Sequence, residues 1–302
     1  MNRTYQFETL DVFTTQRFRG NPLAVVKNAE GLSTDEMQTI AREFNLAETT
    51  FIFQPDDDAN DANVRIFTPT SELPFAGHPT IGTAISIATS IHNDDVFDAT
   101  LTFEEKAGLV PVVLEKREGS PARAQFIAPH PAKLVSGPLE IAKLGAACSL
   151  TPDVCGLEGH NAHTASSGTP FTFLPVRDMQ ALAAAVPNSA EWDAAAMGGG
   201  RGIFLYTKAE EGDDAHWRAR MFAPKLGITE DPATGAANAA FPAQLLAAEE
   251  LGDGTHSWRV KQGYEMGRPS QIDLSADVLD GAINEVRVGG AAVFVSRGEI
   301  EI

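Results

Sequence analysis

The 302-residue chain repeats itself, and that repeat limits the folds open to it more than any other feature. An order of turns and apolar runs laid down in the first half returns in the second, as expected of two similar supersecondary bodies. Gly20-Asn21-Pro22 opens the run Leu23-Ala24-Val25-Val26, and Gly168-Thr169-Pro170 opens Phe171-Thr172-Phe173-Leu174. Each reads as a turn feeding a strand. A helical pattern follows in both halves, around Met37-Gln38 and around Met179-Gln180, and then the apolar runs Phe51-Ile52-Phe53 and Ile203-Phe204-Leu205-Tyr206. Val64-Arg65-Ile66-Phe67-Thr68-Pro69 is answered by Ala219-Arg220-Met221-Phe222-Ala223-Pro224, each a strand stopped by a proline that has no N–H to give a ladder. Last, a small-residue turn opens a helix: Ala76-Gly77-His78-Pro79-Thr80 before Ile81 to Ile91, and Ala233-Thr234-Gly235-Ala236-Ala237 before an Ala/Leu-rich run to Leu251. The pattern predicts two similar halves facing each other. Their boundary is expected near Ala128 to Pro138, where three prolines and a glycine interrupt the order, giving domains of 1–128 and 129–290. The final apolar run Val293-Phe294-Val295 is expected to return to the first domain, over about 291–302.

Composition excludes several classes of function. With 23 Lys+Arg against 41 Asp+Glu the formal net charge is −18, which sets the average field against nucleic acid. A chain that is 43% hydrophobic and 21% charged is globular, not disordered. The start, Met1-Asn2-Arg3-Thr4-Tyr5-Gln6, has no apolar signal-peptide core, and no stretch approaches the roughly 20 apolar residues of a membrane helix. A cytoplasmic protein with no membrane partner is predicted. Two cysteines, Cys148 and Cys155, cannot build a disulfide framework. The lysine-poor, acidic surface fits adaptation to high salt or simple solubility from net charge equally well.

Local chemistry fixes one helix closely. Ser33-Thr34-Asp35-Glu36 is a capping box, Met37, Ile40, Ala41 and Phe44 follow at helical spacing, and Asn45 suits a left-handed stop. Leu46-Ala47-Glu48-Thr49-Thr50 then leads into the next strand, which sets Glu48 among apolar neighbours at a helix-to-strand junction. If buried, such a carboxyl is a usable proton carrier near neutral pH.

Five motifs in order resemble the PhzF family of phenazine-biosynthesis-like proteins: Asp11-Val12-Phe13 with Gly20-Asn21-Pro22, Leu46-Ala47-Glu48-Thr49, Phe75-Ala76-Gly77-His78-Pro79-Thr80, Glu230-Asp231-Pro232-Ala233-Thr234-Gly235, and Gln262-Gly263-Tyr264-Glu265-Met266-Gly267-Arg268-Pro269-Ser270. The resemblance runs from about Phe7 to the last strand. It implies an α+β fold of the diaminopimelate epimerase type: two pseudo-symmetric domains, each a curved, mostly antiparallel sheet or barrel wrapped around a central helix. It further implies an active site in the interdomain cleft, proton transfer without a cofactor, and a homodimer. Glu48 matches the family's catalytic glutamate, and His78 and Asp231 match polar residues lining the cleft. Gly77, Thr80, Gly235, Ala236 and Gly263 fall at positions the resemblance sets against the substrate. In the related epimerases each small-residue turn carries a cysteine; here Gly77 and Ala236 stand there, which excludes a two-thiol mechanism at these positions. The family commonly has serine where this chain has Ala236, so a hydroxyl that would bond the substrate is absent.

Elementary chemistry agrees with a one-base isomerase. Taking a proton from carbon needs a base of tuned pKa and a way to hold the negative charge that develops. Free backbone N–H groups at the helix starts, near Gly77 to Ile81 and near Gly235 to Asn238, would bind a small carboxylate and offset the charge of −18. Pro242, inside the second of these helices, is expected to kink it while leaving its first turn intact.

Other features have plainer readings. His78, just before Pro79, would serve as a helix N-cap if it does not touch substrate, and Asp231-Pro232 is a common turn opener. Cys148, Cys155, His160 and His163 do not have the spacing of a paired-ligand zinc knuckle, so no metal site is expected and the cysteines read as reduced structural thiols. Gly198-Gly199-Gly200-Arg201-Gly202 lacks the Lys-Ser/Thr of a P-loop and precedes a strand, which predicts a flexible turn. Asp56 to Asp61 lacks the glycine and glutamate of an EF-hand and reads as a hairpin turn.

The sequence thus predicts an isomerase or epimerase of a small carboxylic acid, with trans-2,3-dihydro-3-hydroxyanthranilate the one concrete substrate the resemblance offers. The alternative is a binding or regulatory protein that kept the fold without turnover, which Ala236 favours and the intact Glu48, His78 and Asp231 oppose.

Overall fold

A computed structural model describes residues 3–92, 95–248 and 251–302. The chain divides into two compact units, Met1–Pro129 with Gly289–Ile302, and His130–Val288. In the first, β1 (Thr4–Val12), β2 (Asn21–Val26), α1 (Thr34–Phe44), β3 (Glu48–Phe53), β4 (Ala62–Phe67), β5 (Glu72–Leu73), α2 (Gly77–Ile91), β6 (Phe97–Glu105), β7 (Gly108–Lys116) and β8 (Arg123–Ile127) follow one another. β1 pairs antiparallel with β2, β2 parallel with β3, β3 antiparallel with β4, β4 parallel with β6, and β6, β7 and β8 are antiparallel neighbours. The last strand of the chain, Ala282–Glu301, pairs with both β1 and β8. Eight strands therefore close into a ring, which leaves no unpaired edge.

Inside the ring lies α2. Its buried residues Ile81, Ala84, Ile85 and Ala88 are joined by Thr80, Thr83 and Ser86, so it is apolar or small on every side, as a fully enclosed helix must be. By contrast α1 is one-sided: Met37, Ile40 and Ala41 pack with Tyr5, Val26, Phe51 and Phe67. Its start is the expected capping box, with Ser33 and Glu36 each bonding the other's backbone N–H, and Asn45 ends it at φ 50°.

The second unit repeats the scheme. It comprises β9 (Lys133–Ser136), α3 (Ile141–Ala147), β10 (His163–Ser166), β11 (Pro170–Pro175), α4 (Met179–Ala184), β12 (Ile203–Lys208), β13 (Trp217–Ala223), β14 (Ile228–Asp231), α5 (Gly235–Ala248), β15 (Gly254–Gln262) and β16 (Ser270–Leu279), and β17 (Ala282–Glu301) begins in it. β10–β11, β12–β13 and β15–β16 are antiparallel, while β11–β12 and β13–β15 are parallel. These are the pairings of β1–β2, β3–β4, β6–β7, β2–β3 and β4–β6 in the same order. α5 takes the place of α2, and Phe241 on it meets the rings of Phe173, Phe204, Tyr206 and Trp217.

Pro242 sits inside α5 and the helix continues to Ala248; its first turn is intact, with Asn238 N–H donating to the Thr234 carbonyl at 3.0 Å. The expected run through Glu249 and Glu250 lies outside the described residues. In the glycine-rich turn before β12 a side chain at Gly198 would meet Ser136 and Thr164, and one at Gly202 would meet the Phe222 carbonyl, while Gly199 is open. The Asp56 to Asp61 segment does join β3 to β4 as a hairpin, with Asp56 and Asp57 N–H groups donating to the Glu104 carboxylate at 2.6 and 2.9 Å. No described helix is long and apolar enough to cross a membrane.

Candidate active site

In the first unit the parallel pairing of β2 and β3 sets Glu48 opposite Leu23, and Glu48 is only 9% exposed. Residues two apart on a strand share a face. Thr50, sharing that face, stands 2.8 Å from Thr83 of α2, so Glu48 faces the enclosed helix too. Gly82 allows the close approach: a Cβ there would stand 2.5 Å from Leu23 Cδ2.

His78 is the second residue of α2 and 4% exposed. The N-cap is Ala76, with no side-chain cap bond, so the N-cap reading of His78 does not hold. Its ring instead bridges two strands, with Nε2 3.2 Å from Glu48 Oε2 and Nδ1 3.2 Å from Asn21 Nδ2. Each part of Gly20-Asn21-Pro22 thereby has a task. Gly20 takes φ +63° where a side chain would strike the Val12 carbonyl, Asn21 reaches His78, and β2 begins.

Burial holds the His78 imidazole far below its usual range, to about 3, against a smaller opposing pull from its hydrogen bond with the Pro22 backbone. The ring is neutral at pH 7. Because the unfolded chain protonates this histidine below 6.5 and the folded one only near 3, stability is whole above about pH 6.5. It is lost as pH falls toward 3. Urea unfolding followed from neutral to acid pH is expected to show this loss in the wild type and a shallower one in His78→Asn.

Gly77 opens α2 and is buried, and Thr80 on the same turn is fully buried with its hydroxyl engaged by the Ala76 carbonyl and Glu105. Glu48, His78, Gly77 and Thr80 thus share one end of α2.

In the second unit Asp231 ends β14 and is buried; the Thr234 hydroxyl donates to its Oδ2 at 2.5 Å. Gln262, the last residue of β15, clamps this loop. Its Nε2 donates to the Asp231 carbonyl at 2.8 Å, and its Oε1 accepts from Thr234 N–H and Asn238 Nδ2, both at 3.3 Å. Gly263 follows at φ +78°, where a Cβ would stand 2.6 Å from the Pro232 carbonyl. Gly235 and Ala236 begin α5, and Ala236 is half-buried between Gly235 and Ala237, which are buried. Asp231, Gly235, Ala236 and Gly263 are therefore gathered at the start of α5.

Sequence reasoning missed Gln262 and Asn238 as the framework of Asp231, although Gln262 stands beside Gly263 in a quoted motif. It also missed Asn21 as a partner of His78, and Glu105, which period-two burial of Leu101, Phe103 and Glu105 would have pointed inward. His160 and His163 bond Tyr206 and Gln244 at 3.0 and 3.1 Å. Among the described residues no group of three or more His, Cys, Asp or Glu side chains is placed to hold a metal ion. Burial pushes both thiols up, that of Cys155 to about 11, so neither is an activated nucleophile.

Residues 10–298 match the family model of the phenazine biosynthesis-like proteins, PhzC-PhzF. The chain belongs to this family. It is 37% identical to an uncharacterised isomerase of Mesorhizobium japonicum over 99% of this chain and 100% of that one. It is 33% identical to trans-2,3-dihydro-3-hydroxyanthranilate isomerase of Pseudomonas aeruginosa, over 97% of this chain and 98% of that one. The crystal structure of a PhzF-family phenazine biosynthesis protein of Bacillus anthracis is similar at a TM-score of 0.88 and 24% identity, over 99% of this chain and 100% of that one, a likeness of fold. This PhzF-family protein is an isomerase, with the α+β architecture of the epimerase-like folds.

Proposed function

We propose that the protein isomerises a small carboxylic acid by moving a proton between carbons, without a cofactor, with Glu48 as the general acid/base. The supporting observation is the contact between Glu48 Oε2 and Nε2 of a neutral, buried His78. The Glu48 carboxylate takes a proton from a substrate carbon and the electron pair passes into the adjoining unsaturated system. Glu48, now the acid, returns the proton to another carbon of that system, so nothing is consumed. His78, with Nε2 3.2 Å from Glu48 Oε2, orients the oxygen that works.

The substrate carboxylate is held by the free backbone N–H groups opening α2, at Gly77 and His78 beside Thr80; Gly235, Ala236 and Gly263 are the substrate-binding residues proposed on the second unit. Asp231, buried and fixed by Thr234 and Gln262, positions and polarises the substrate. Ala236 offers its N–H and a methyl where a hydroxyl would discriminate among substrates. The first candidate substrate is trans-2,3-dihydro-3-hydroxyanthranilate, from the name of the Pseudomonas aeruginosa relative. The working form is a cytoplasmic homodimer, and light scattering is expected to give twice the 32.2 kDa of the chain.

The test is proton NMR in heavy water of that compound and a panel of small cyclic and acyclic carboxylates. Deuterium entering carbon, or a displaced double bond, is expected with the wild type. A carboxylate that protects the protein against thermal unfolding while none exchanges would overturn the reading. His78→Asn is expected to cut kcat about 10- to 100-fold, less than loss of the base itself, because the proton carrier remains.

A further inference from the structure

Glu105 is a buried carboxyl that the reaction above does not use. It ends β6, is 7% exposed, and follows Leu101 and Phe103 on the inward face. Its Oε1 lies 2.7 Å from Thr80 Oγ1, and its Oε2 is shut from solvent with no hydrogen-bond partner among the described residues. The Thr80 hydroxyl is also 2.9 Å from the carbonyl of Ala76, the N-cap of α2.

A hydroxyl has one hydrogen. Were Glu105 a carboxylate, Thr80 would face two acceptors with one proton. As a neutral acid Glu105 donates to Thr80, Thr80 donates to the Ala76 carbonyl, and each hydrogen is used once. We propose that Glu105 is a positioning residue for the first turn of α2: neutral, it sets Thr80 on the Ala76 carbonyl, and ionised, it releases that turn and competes with the substrate anion there.

Burial raises the Glu105 carboxyl to about 8, opposed only by its Thr80 bond. The neighbouring charges are accounted for on each element. On α2, His78 stays neutral throughout this range. On β4 Arg65, and in the turn after β6 Lys106, are both paired with Glu72 of β5. On β7, Glu105 faces Gly108, and the charged Glu115 and Lys116 stand opposite Asp98 and Phe97 at the far end of β6, where Arg117 meets Glu115 and Lys116 meets Asp95. On β8, Arg123 lies 4.0 Å from Glu115. On ionisation the Thr80 hydroxyl turns its one hydrogen to Glu105, the Ala76 carbonyl keeps only the Thr80 N–H at 3.2 Å, and a negative charge appears beside the N–H groups that attract an anion.

The effect on substrate rests on the anion-binding reading above; the coupling to α2 does not, so the experiment reads them separately. In ¹⁵N-labelled protein, the amides of Gly77, His78 and Thr80 are expected to shift with a midpoint near 8 in the wild type. That transition is expected to vanish in Glu105→Gln, which donates to Thr80 at every pH, and in Thr80→Val, which cuts the link. With an exchanging carboxylate, wild-type KM is expected to rise about 10-fold per pH unit above the midpoint while kcat changes less, and Glu105→Gln to remove the rise. Amides that do not titrate in the wild type, or a transition that survives in a folded Glu105→Gln, overturn the coupling. A transition with a KM that ignores it reduces Glu105 to a structural acid and overturns the role toward substrate. If no carboxylate exchanges at all, the proposed reaction fails and the amide titration still decides the coupling.

Discussion

Glu48→Gln is expected to lower proton exchange by about 10³-fold or more while leaving the fold in place. Glutamine has the length and shape of glutamate, and its amide can keep the same 3.2 Å contact with His78 Nε2. What it cannot do is carry a proton to and from carbon. The change in stability should stay within about 1 kcal/mol, since the His78 contact is kept and one buried charge is removed. Single-turnover kinetics in heavy water beside a thermal melt separates the two effects. Near-normal turnover in a folded Glu48→Gln protein would remove Glu48 from the reaction.

Gly263→Ala is expected to cost about 2 to 4 kcal/mol. The backbone there has φ +78°, and the new Cβ would press 2.5 Å from the Arg268 carbonyl and 2.6 Å from that of Pro232, both main-chain atoms that yield only if the loop moves. Gly267→Ala is the matched control, with φ +77° and nothing within 4 Å, so it carries the conformational cost of about 1 kcal/mol alone. Because Gln262 and Gly263 hold Asp231 to Thr234, Gly263→Ala should also reduce activity at temperatures where it remains folded. Equal losses in the two variants, by denaturant midpoint, would show that the loop absorbs the contact.

Much of this was legible because it rests on local chemistry. The capping box at Ser33, the left-handed Asn45 and the proline stops after Phe67 and Ala223 each act within a few residues, so the chain order alone places them. The duplicated order of turns and runs maps onto duplicated pairings, including the two parallel steps in each unit. The meeting of Glu48 with His78 was not legible in the same way. It depends on the 29 residues between them closing across a sheet and on Gly82 admitting α2, and only the resemblance put both in one site. The protonation of Glu105 and the clamp by Gln262 were invisible because each depends on what a distant turn brings against it. A glutamate at the end of a strand looks the same in sequence whether it meets water or Thr80. Likewise, the close approach of Gly198 and Gly200 to Ser136, Thr164 and Thr172 is a long-range fact that composition does not carry.

The ring of strands in the first unit is completed by residues 289–302, more than 160 positions after β8. During synthesis the first 129 residues therefore emerge with β1 and β8 lacking a neighbour each, and the apolar helix α2 has an incomplete wall until the ribosome has made the second unit in full. The second unit is contiguous and can form as it emerges. Its completion brings the closing strand into reach, so the nascent chain is expected to need shielding longest at the end that was made first, and a ribosome stalled before residue 289 should expose that end to protease.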